Sequence, residues 1–382
     1  MIIFSLLWLG HINMFDGFDF MRDFMGYRDL LTKSIFNIRS GSDIKTKYLL
    51  INTSNNNQLL ALDNDNQINT VITDRKELVK VLNILNDNSQ KIKYIICDIF
   101  FGESDTINDN ALENVITLLD QKKKLIIPYY IEEDENYIHY PIFDANHGLS
   151  QYKFSFLNTQ YLKYSFISYD TIKHLPLIVY EDITGKEMNK RKLIGIRYYT
   201  MDNKWCLNTI IPEFRYTSFN VIPDSTVIDL GFFSADMLGR NQIIFIGDFE
   251  GVRDRHHSIV TQVAGPLIVI NAFESLVHGD NLIKMPYFLF LFFFFIVISY
   301  HTFYRTWLKP YLSKKAKPHI IIDFLRSKLN YLLILLLTLL SMLFFHHYIH
   351  LLILLSYFAF IEIIIAFVKK LEKDKKYSMA KK

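Results

Sequence analysis

The sequence predicts an α/β domain on a mainly parallel sheet with one antiparallel hairpin, followed by a C-terminal region of three transmembrane helices. Three observations carry this reading. Strand-like and helix-like apolar patterns alternate through the first half of the chain. Two strand-like runs flank the polar segment Thr200–Asn203, a hairpin signal. The last third of the chain holds three long apolar tracts.

The alternation begins at KTKYLLINT (Lys45–Thr53), a strand-like run. Asp74, with Glu77 three residues on, resembles a capping box and opens a helix with Leu78, Val81, Leu82 and Leu85 at helical spacing. KIKYIICDIFF (Lys91–Phe101) is nearly continuous in apolar residues, as a strand buried on both faces requires. Asp109 is an N-cap candidate for a helix with Leu112, Val115, Leu118 and Leu119 along one side, and LIIPYYI (Leu125–Ile131) is the next strand.

Residues 132–190 are rich in Tyr, Phe, His and Asn without clear periodicity, and read as an irregular insertion. After the hairpin, STVIDLGFF reads as a strand, SADML as a short helical turn and NQIIFIGDF (Asn241–Phe249) as a buried strand. GVRDRHHSIVTQVA reads as a loop. Gly265 and Pro266 then start a helix through Val277, with Gly279 just past its end.

The apolar tracts place membrane helices at 286–306, 330–346 and 349–368, because hydrocarbon leaves the backbone no partner but itself. Arg305, Lys309, Lys314, Lys315, Lys317, Arg326 and Lys328 put the first connection on the cytoplasmic side, with the tail 369–382. The region 12–284 is then extracytoplasmic, in a multi-pass protein of the cell inner membrane. His301, His346, His347 and His350 lie near predicted helix ends and read as interfacial. Met1–Leu9 is apolar but too short to span, and reads as the outer end of an anchor that starts upstream. A net charge of +3 argues against nucleic acid as a partner. Cys97 and Cys206 are two separate buried thiols or, in an oxidising compartment, a pair.

Two clusters concentrate polar groups beside buried strands, where ligands of open α/β sheets sit. In CDIFFGESD, Asp98 interrupts an apolar strand and must find partners, either loop amides or a ligand. In GDFEGVRDRHHS, Gly247 and Asp248 end a strand, and Asp254, His256 and His257 follow. A loop with this spacing is a weak metal signal and a common solvated turn. The glycines form no phosphate-cradling loop, no Gly-x-Ser-x-Gly or Cys/His nucleophile set occurs, and no cofactor is expected.

CDIFFGESDTINDNALENVI, IIFIGDFEGVRDRHHS and VAGPLIVINAFESLVHGDNLI, running into the apolar tracts, resemble the CHASE2 family of extracytoplasmic sensory domains over about residues 12–284. The resemblance implies a sensor-type domain and places Asp98, Gly247, Asp248, Asp254 and His256 on family-motif positions as candidate ligand-binding residues. Family members usually continue into a kinase or cyclase output domain, whereas here only KKLEKDKKYSMAKK follows Val368. The leading expectation is therefore a non-enzymatic, membrane-anchored module that binds an unknown small ligand and acts through a separate membrane or cytoplasmic signalling partner. The alternatives are an extracytoplasmic, metal-assisted hydrolase using Asp98, Asp248, Asp254 and His256, or a structural subunit of an envelope complex with 132–190 as its contact surface.

Overall fold

The alternating pattern folds into three layers, helices on both faces of a parallel sheet. The structure, a computed structural model, describes residues 47–303 apart from 64–67, 106, 133–136, 152–162, 194–195, 211, 213–214, 217–226, 252–253 and 258–261, together with 332–341, 344–345, 347, 363–364, 367–368 and 370–371. Among these, residues 47–191 and 199–281 belong to one compact unit; residues 192–198 and those from 282 onward belong to a second.

The first unit contains β1 (Tyr48–Asn52), a hairpin of β2 (Asn57–Asp63) and β3 (Ile68–Thr73), α1 (Arg75–Asp87), β4 (Ile92–Cys97), α2 (Asp109–Gln121) and β5 (Leu125–Glu132). Short strands follow: β6 (Tyr137–His139), β7 (His147–Leu149), β8 (Tyr164–Ser165), β9 (Ile167–Ser168) and β10 (Ile172–Lys173). Then come α3 (Leu175–Thr184), β11 (Met188–Leu193) and β12 (Ile196–Met201), of which residues 192–193 and 196–198 fall in the second unit, and β13 (Lys204–Cys206), β14 (Thr209–Ile210), β15 (Val227–Asp229) and β16 (Gln242–Gly247). A ribbon of β17 (Arg255–His257) and β18 (Gln262–Ala264) leads into α4 (Gly265–His278).

The main sheet runs β15-β1-β16-β4-β5, all parallel, with β7 parallel and β6 antiparallel to β5. β16 lies at its centre, and all six of its residues are buried, the continuous apolar run that a strand covered on both faces requires. Side chains alternate across the pleat. Leu49, Ile51, Ile95, Cys97, Ile244 and Ile246 pack on the α1 and α2 side, against Leu78, Val81, Leu82 and Leu85 and against Leu112, Val115, Ile116 and Leu119. Each such side chain contributes about 1.5–3 kcal/mol on burial. The opposite face is tied down by polar contacts: Tyr48 Oη donates to Glu274 of α4 (2.5 Å) and Tyr94 Oη to Asp182 of α3 (2.5 Å).

The expected caps and turns divide. Asp74 caps α1 by accepting from the Glu77 amide at 3.1 Å. Gly279 ends α4 in the left-handed region, φ 68°, where a side chain would be strained. Asp202 and Asn203 join β12 to β13 with φ values of 50° and 57°, the doubly left-handed two-residue turn that matches strand twist. Asp109 is not a cap, however. It is the first residue of α2, and its carboxylate is engaged by the buried Arg75 guanidinium and by Ser104 Oγ. A buried guanidinium needs a carboxylate more than a helix end does. Leu118 faces out, and Ile116 takes the buried position.

Residues 132–190 are more regular than their sequence reads. α3 begins LPLIVY, apolar at nearly every position, so it shows no 3.6-residue period. Pro176 in its first turn and Gly185 at φ 68° after its end were the readable signals. The segment read as a loop after β16 likewise contains the β17/β18 ribbon, with His256 opposite Val263.

The expected three-helix membrane region is corrected. Among the described residues no helix is long and apolar enough to cross a membrane. α5 (Met285–Phe303) has 19 residues, about 28 Å of rise, but its unbroken apolar part is Phe288–Ile298, about 16 Å against a hydrocarbon core of about 30 Å. Tyr287, Leu291, Phe294, Phe295 and Ile298 are buried along one stripe, while Leu289, Phe292, Phe293 and Ile296 are exposed. Tyr287 Oη is hydrogen-bonded to Ser341 Oγ at 2.9 Å within the same unit. The helical residues 332–341 of the second tract are shorter still. The tracts 286–306, 330–346 and 349–368 each include polar residues near an end. Multi-pass inner-membrane localisation, and the extracytoplasmic and cytoplasmic sides assigned from it, therefore lose their basis. Met1–Leu9, the basic 305–328 segment, most of 349–368 and most of the 369–382 tail lie outside the described residues.

Candidate functional site

Parallel strands all point their carboxyl ends one way, and the loops that leave them bring polar residues to one edge. Asp98 directly follows β4, and its amide donates to Ile246 O of β16 at 2.8 Å, which fixes its backbone to the sheet centre. Its carboxylate accepts from Ser150 Oγ at 2.8 Å; Ser150 directly follows β7, beside β5. The β17 ribbon delivers the other half of the site. His256 Nε2 lies 2.8 Å from Asp254 Oδ1, and the Asp254 carbonyl accepts from the Gly265 amide at the start of α4 (2.9 Å).

Two glycines make this close approach possible. A Cβ at Gly247 would lie 2.8 Å from Pro266 Cγ and 3.5 Å from Asp98 Cβ, so bare backbone lets α4 start against the end of β16. A Cβ at Gly265 would lie 2.4 Å from Asp254 Oδ2, in the space the carboxylate occupies.

Asp98, Asp254 and His256 line a recess of about 540 Å³. Phe100, Tyr129, Tyr130 and Tyr169 give it aromatic walls, with Phe100 and Tyr130 edge to face at 4.5 Å between centroids. Ser168 and His174 also face it, Ser168 Oγ lying 2.7 Å from His174 Nε2. The Asp98 carboxyl is pushed up to about 7, by burial first and then by the charge of Asp254; the Ser150 hydrogen bond and His256 pull it back in part. By area Asp98 is only half-buried, and its open side faces the half-open recess between these rings. The neighbouring Tyr164 hydroxyl is raised by its own burial and then by the Asp98 charge.

Asp248 does not line the recess. It sits at the β1 side of β16, where its carboxylate accepts from Ser54 Oγ and from the Gly251 amide (2.5 Å). There Asn52, fully buried, donates to Asp229 at 2.8 Å and to Glu250 at 3.2 Å, while its Oδ1 accepts from the Phe249 amide at 3.2 Å. Of the five residues singled out from sequence, the fold thus gathers Asp98, Gly247, Asp254 and His256 and leaves Asp248 apart. Among the described residues no group of three His, Cys, Asp or Glu could hold a metal ion.

Sequence reasoning missed Ser150, Ser168, His174 and the aromatic walls. Tyr129 and Tyr130 had a signal, since they close a buried strand at the edge where ligands sit. Ser150 and Ser168 had none. Cys97 and Cys206 are free, buried thiols, and burial raises both, Cys206 to about 12.

No protein-family model, no curated protein and no solved structure matches this chain. The resemblance to CHASE2 domains rests on the quoted motifs alone.

Proposed function

We propose that the unit built on the parallel sheet is a small-ligand-binding module whose bound state is read by a separate partner protein. The observation that carries this reading is the recess at the carboxyl edge. Its volume, about 540 Å³, falls in the range of small-molecule sites, and it combines aromatic walls with a few convergent polar groups. Asp98 is held there at a cost in hydration, a feature more common at functional sites than in structural cores.

The walls continue outward to exposed rings. Tyr130 stacks on His139 at 4.4 Å, His139 meets Tyr137 edge to face at 4.8 Å, and Tyr129 lies 5.6 Å from Tyr140. Tyr137 and Tyr140 are exposed. A ligand that shifts Tyr129 or Tyr130 would change a surface that a partner can contact, which is the differential interaction a relay needs. The geometry favours binding over the metal-assisted hydrolase alternative, because Asp248 is committed to Ser54 and Gly251, away from the other three residues of that set.

A fragment screen of the full chain by ligand-observed NMR tests this reading. Saturable hits are expected, and Phe100→Ala, which removes a rim ring, is expected to weaken them at least about fivefold. A screen without saturable hits, or hits indifferent to Phe100→Ala, contradicts it.

A further inference from the structure

Resting on the reading of the recess as a binding site, we propose that its ligand is a small organic cation, a protonated amine on a compact apolar or aromatic body. Charge is the first argument. The recess presents the carboxylates of Asp98 and Asp254, and its described lining residues include no Lys or Arg. Of its two described histidines, His256 is turned to Asp254 at 2.8 Å and His174 to Ser168 at 2.7 Å. A carboxylate drawn partly out of water is stabilised by a cation that brings hydrogen-bond donors with it. An anionic ligand would add a further negative charge beside two carboxylates, and a neutral one would leave ionised Asp98 uncompensated.

The walls give the second argument. Phe100, Tyr129, Tyr130 and Tyr169 surround the polar end with rings, whose faces attract an ammonium group by about 0.5–2 kcal/mol each when favourably placed. Ring faces suit an organic cation better than a bare divalent ion, which requires several oxygen or nitrogen ligands at short range. The volume leaves room for a small-molecule body, a single aromatic ring included. A cation stabilises ionised Asp98, so binding strengthens as pH rises through the range in which that carboxyl loses its proton.

The test uses three probes of one shape on the full chain, by isothermal titration calorimetry at pH 8 and pH 5.5: phenethylamine, 2-phenylethanol and phenylacetate. Phenethylamine is expected to bind at least about tenfold more tightly than the alcohol at pH 8, with phenylacetate weakest, and to lose about tenfold at pH 5.5. Asp98→Asn is expected to remove both the preference and the pH dependence while circular dichroism stays native. Should Asp98→Asn fail to fold, Asp254→Asn is expected to reduce the preference on its own. Equal or tighter binding of the alcohol or the acid overturns the cation assignment and leaves the binding-module reading standing. Binding of none of the three overturns it too; the module reading fails separately, only if the fragment screen is also empty. A preference for the amine that survives both variants places the cation elsewhere and likewise overturns the assignment.

Discussion

Two polar spots flank β16 at the same edge of the sheet, and they are built in opposite ways. On the β1 side, Asn52, Ser54, Asp229, Asp248 and Glu250 are linked by hydrogen bonds to one another and to the Phe249 and Gly251 amides. On the β4 side, Asp98 receives a hydroxyl from Ser150 and otherwise opens toward a recess. The first spot closes its polar groups on themselves and so locks the strand ends and loops together. The second leaves a half-buried carboxylate in reach of a small molecule. On the proposed reading, neighbouring acidic residues at one sheet edge serve stability in one case and recognition in the other, and internal hydrogen bonding tells them apart.

Substitutions can break this contrast, beginning with the closed side. Asn52→Ala removes a fully buried amide that bridges two carboxylates and accepts from backbone, and is expected to lower stability by about 3 kcal/mol in urea unfolding. A loss under about 1 kcal/mol would show that the β1-side network is ornamental. Gly247→Ala is next, at about 2 kcal/mol, because its Cβ would meet the Pro266 ring at 2.8 Å and force α4 from the sheet. Gly265→Ala differs, since the Asp254 side chain it meets can swing away; stability should move by less than about 1 kcal/mol while amine binding weakens.

The open side should respond to pH. Asp98 has a folded value of about 7, above that of an unfolded Asp near 4. The folded state therefore holds this proton more tightly, its contribution is fully present below about pH 4, and it is lost as pH rises to about 7. Asp98→Asn cannot ionise, so relative to the parent it should gain about 1–2 kcal/mol at pH 8, a figure discounted for water in the recess, and nothing at pH 4. Thermal unfolding at the two pH values checks this; an equal effect at both would mean that Asp98 titrates normally. The smallest change is expected for His256→Gln, within about 0.5 kcal/mol, because its pair with Asp254 is only partly buried.

Much of the sheet was legible because burial on both faces leaves a plain mark: YLLIN, IKYIIC and QIIFIG are apolar runs bounded by polar turns. Capping at Asp74 and the stop at Gly279 were equally readable, since each depends on one residue type at one position. α3 was not legible, because a helix covered on most sides loses its period. The role of Asp109 depended on Arg75, thirty-four positions away, and no local pattern carries such a pairing. Membrane helices were not legible as such, because apolar content over a tract does not distinguish a span from a helix like α5, which buries one stripe and has polar residues near both ends. Within the site, the sequence marked the residues at strand ends. It could not mark Ser150, which reaches Asp98 only through the pairing of β7 with β5, nor separate Asp248 from the recess, a matter of which side of β16 its side chain takes.

The contrast between the two spots is tested most directly by crystals of the full chain soaked with a fragment library that includes small amines. Fragments are expected in the recess, in contact with Asp98 and Tyr130, with the Asn52–Asp248 network undisturbed and unoccupied. A recess empty across the library, or fragments lodged against Asn52 and Asp248, would contradict the account.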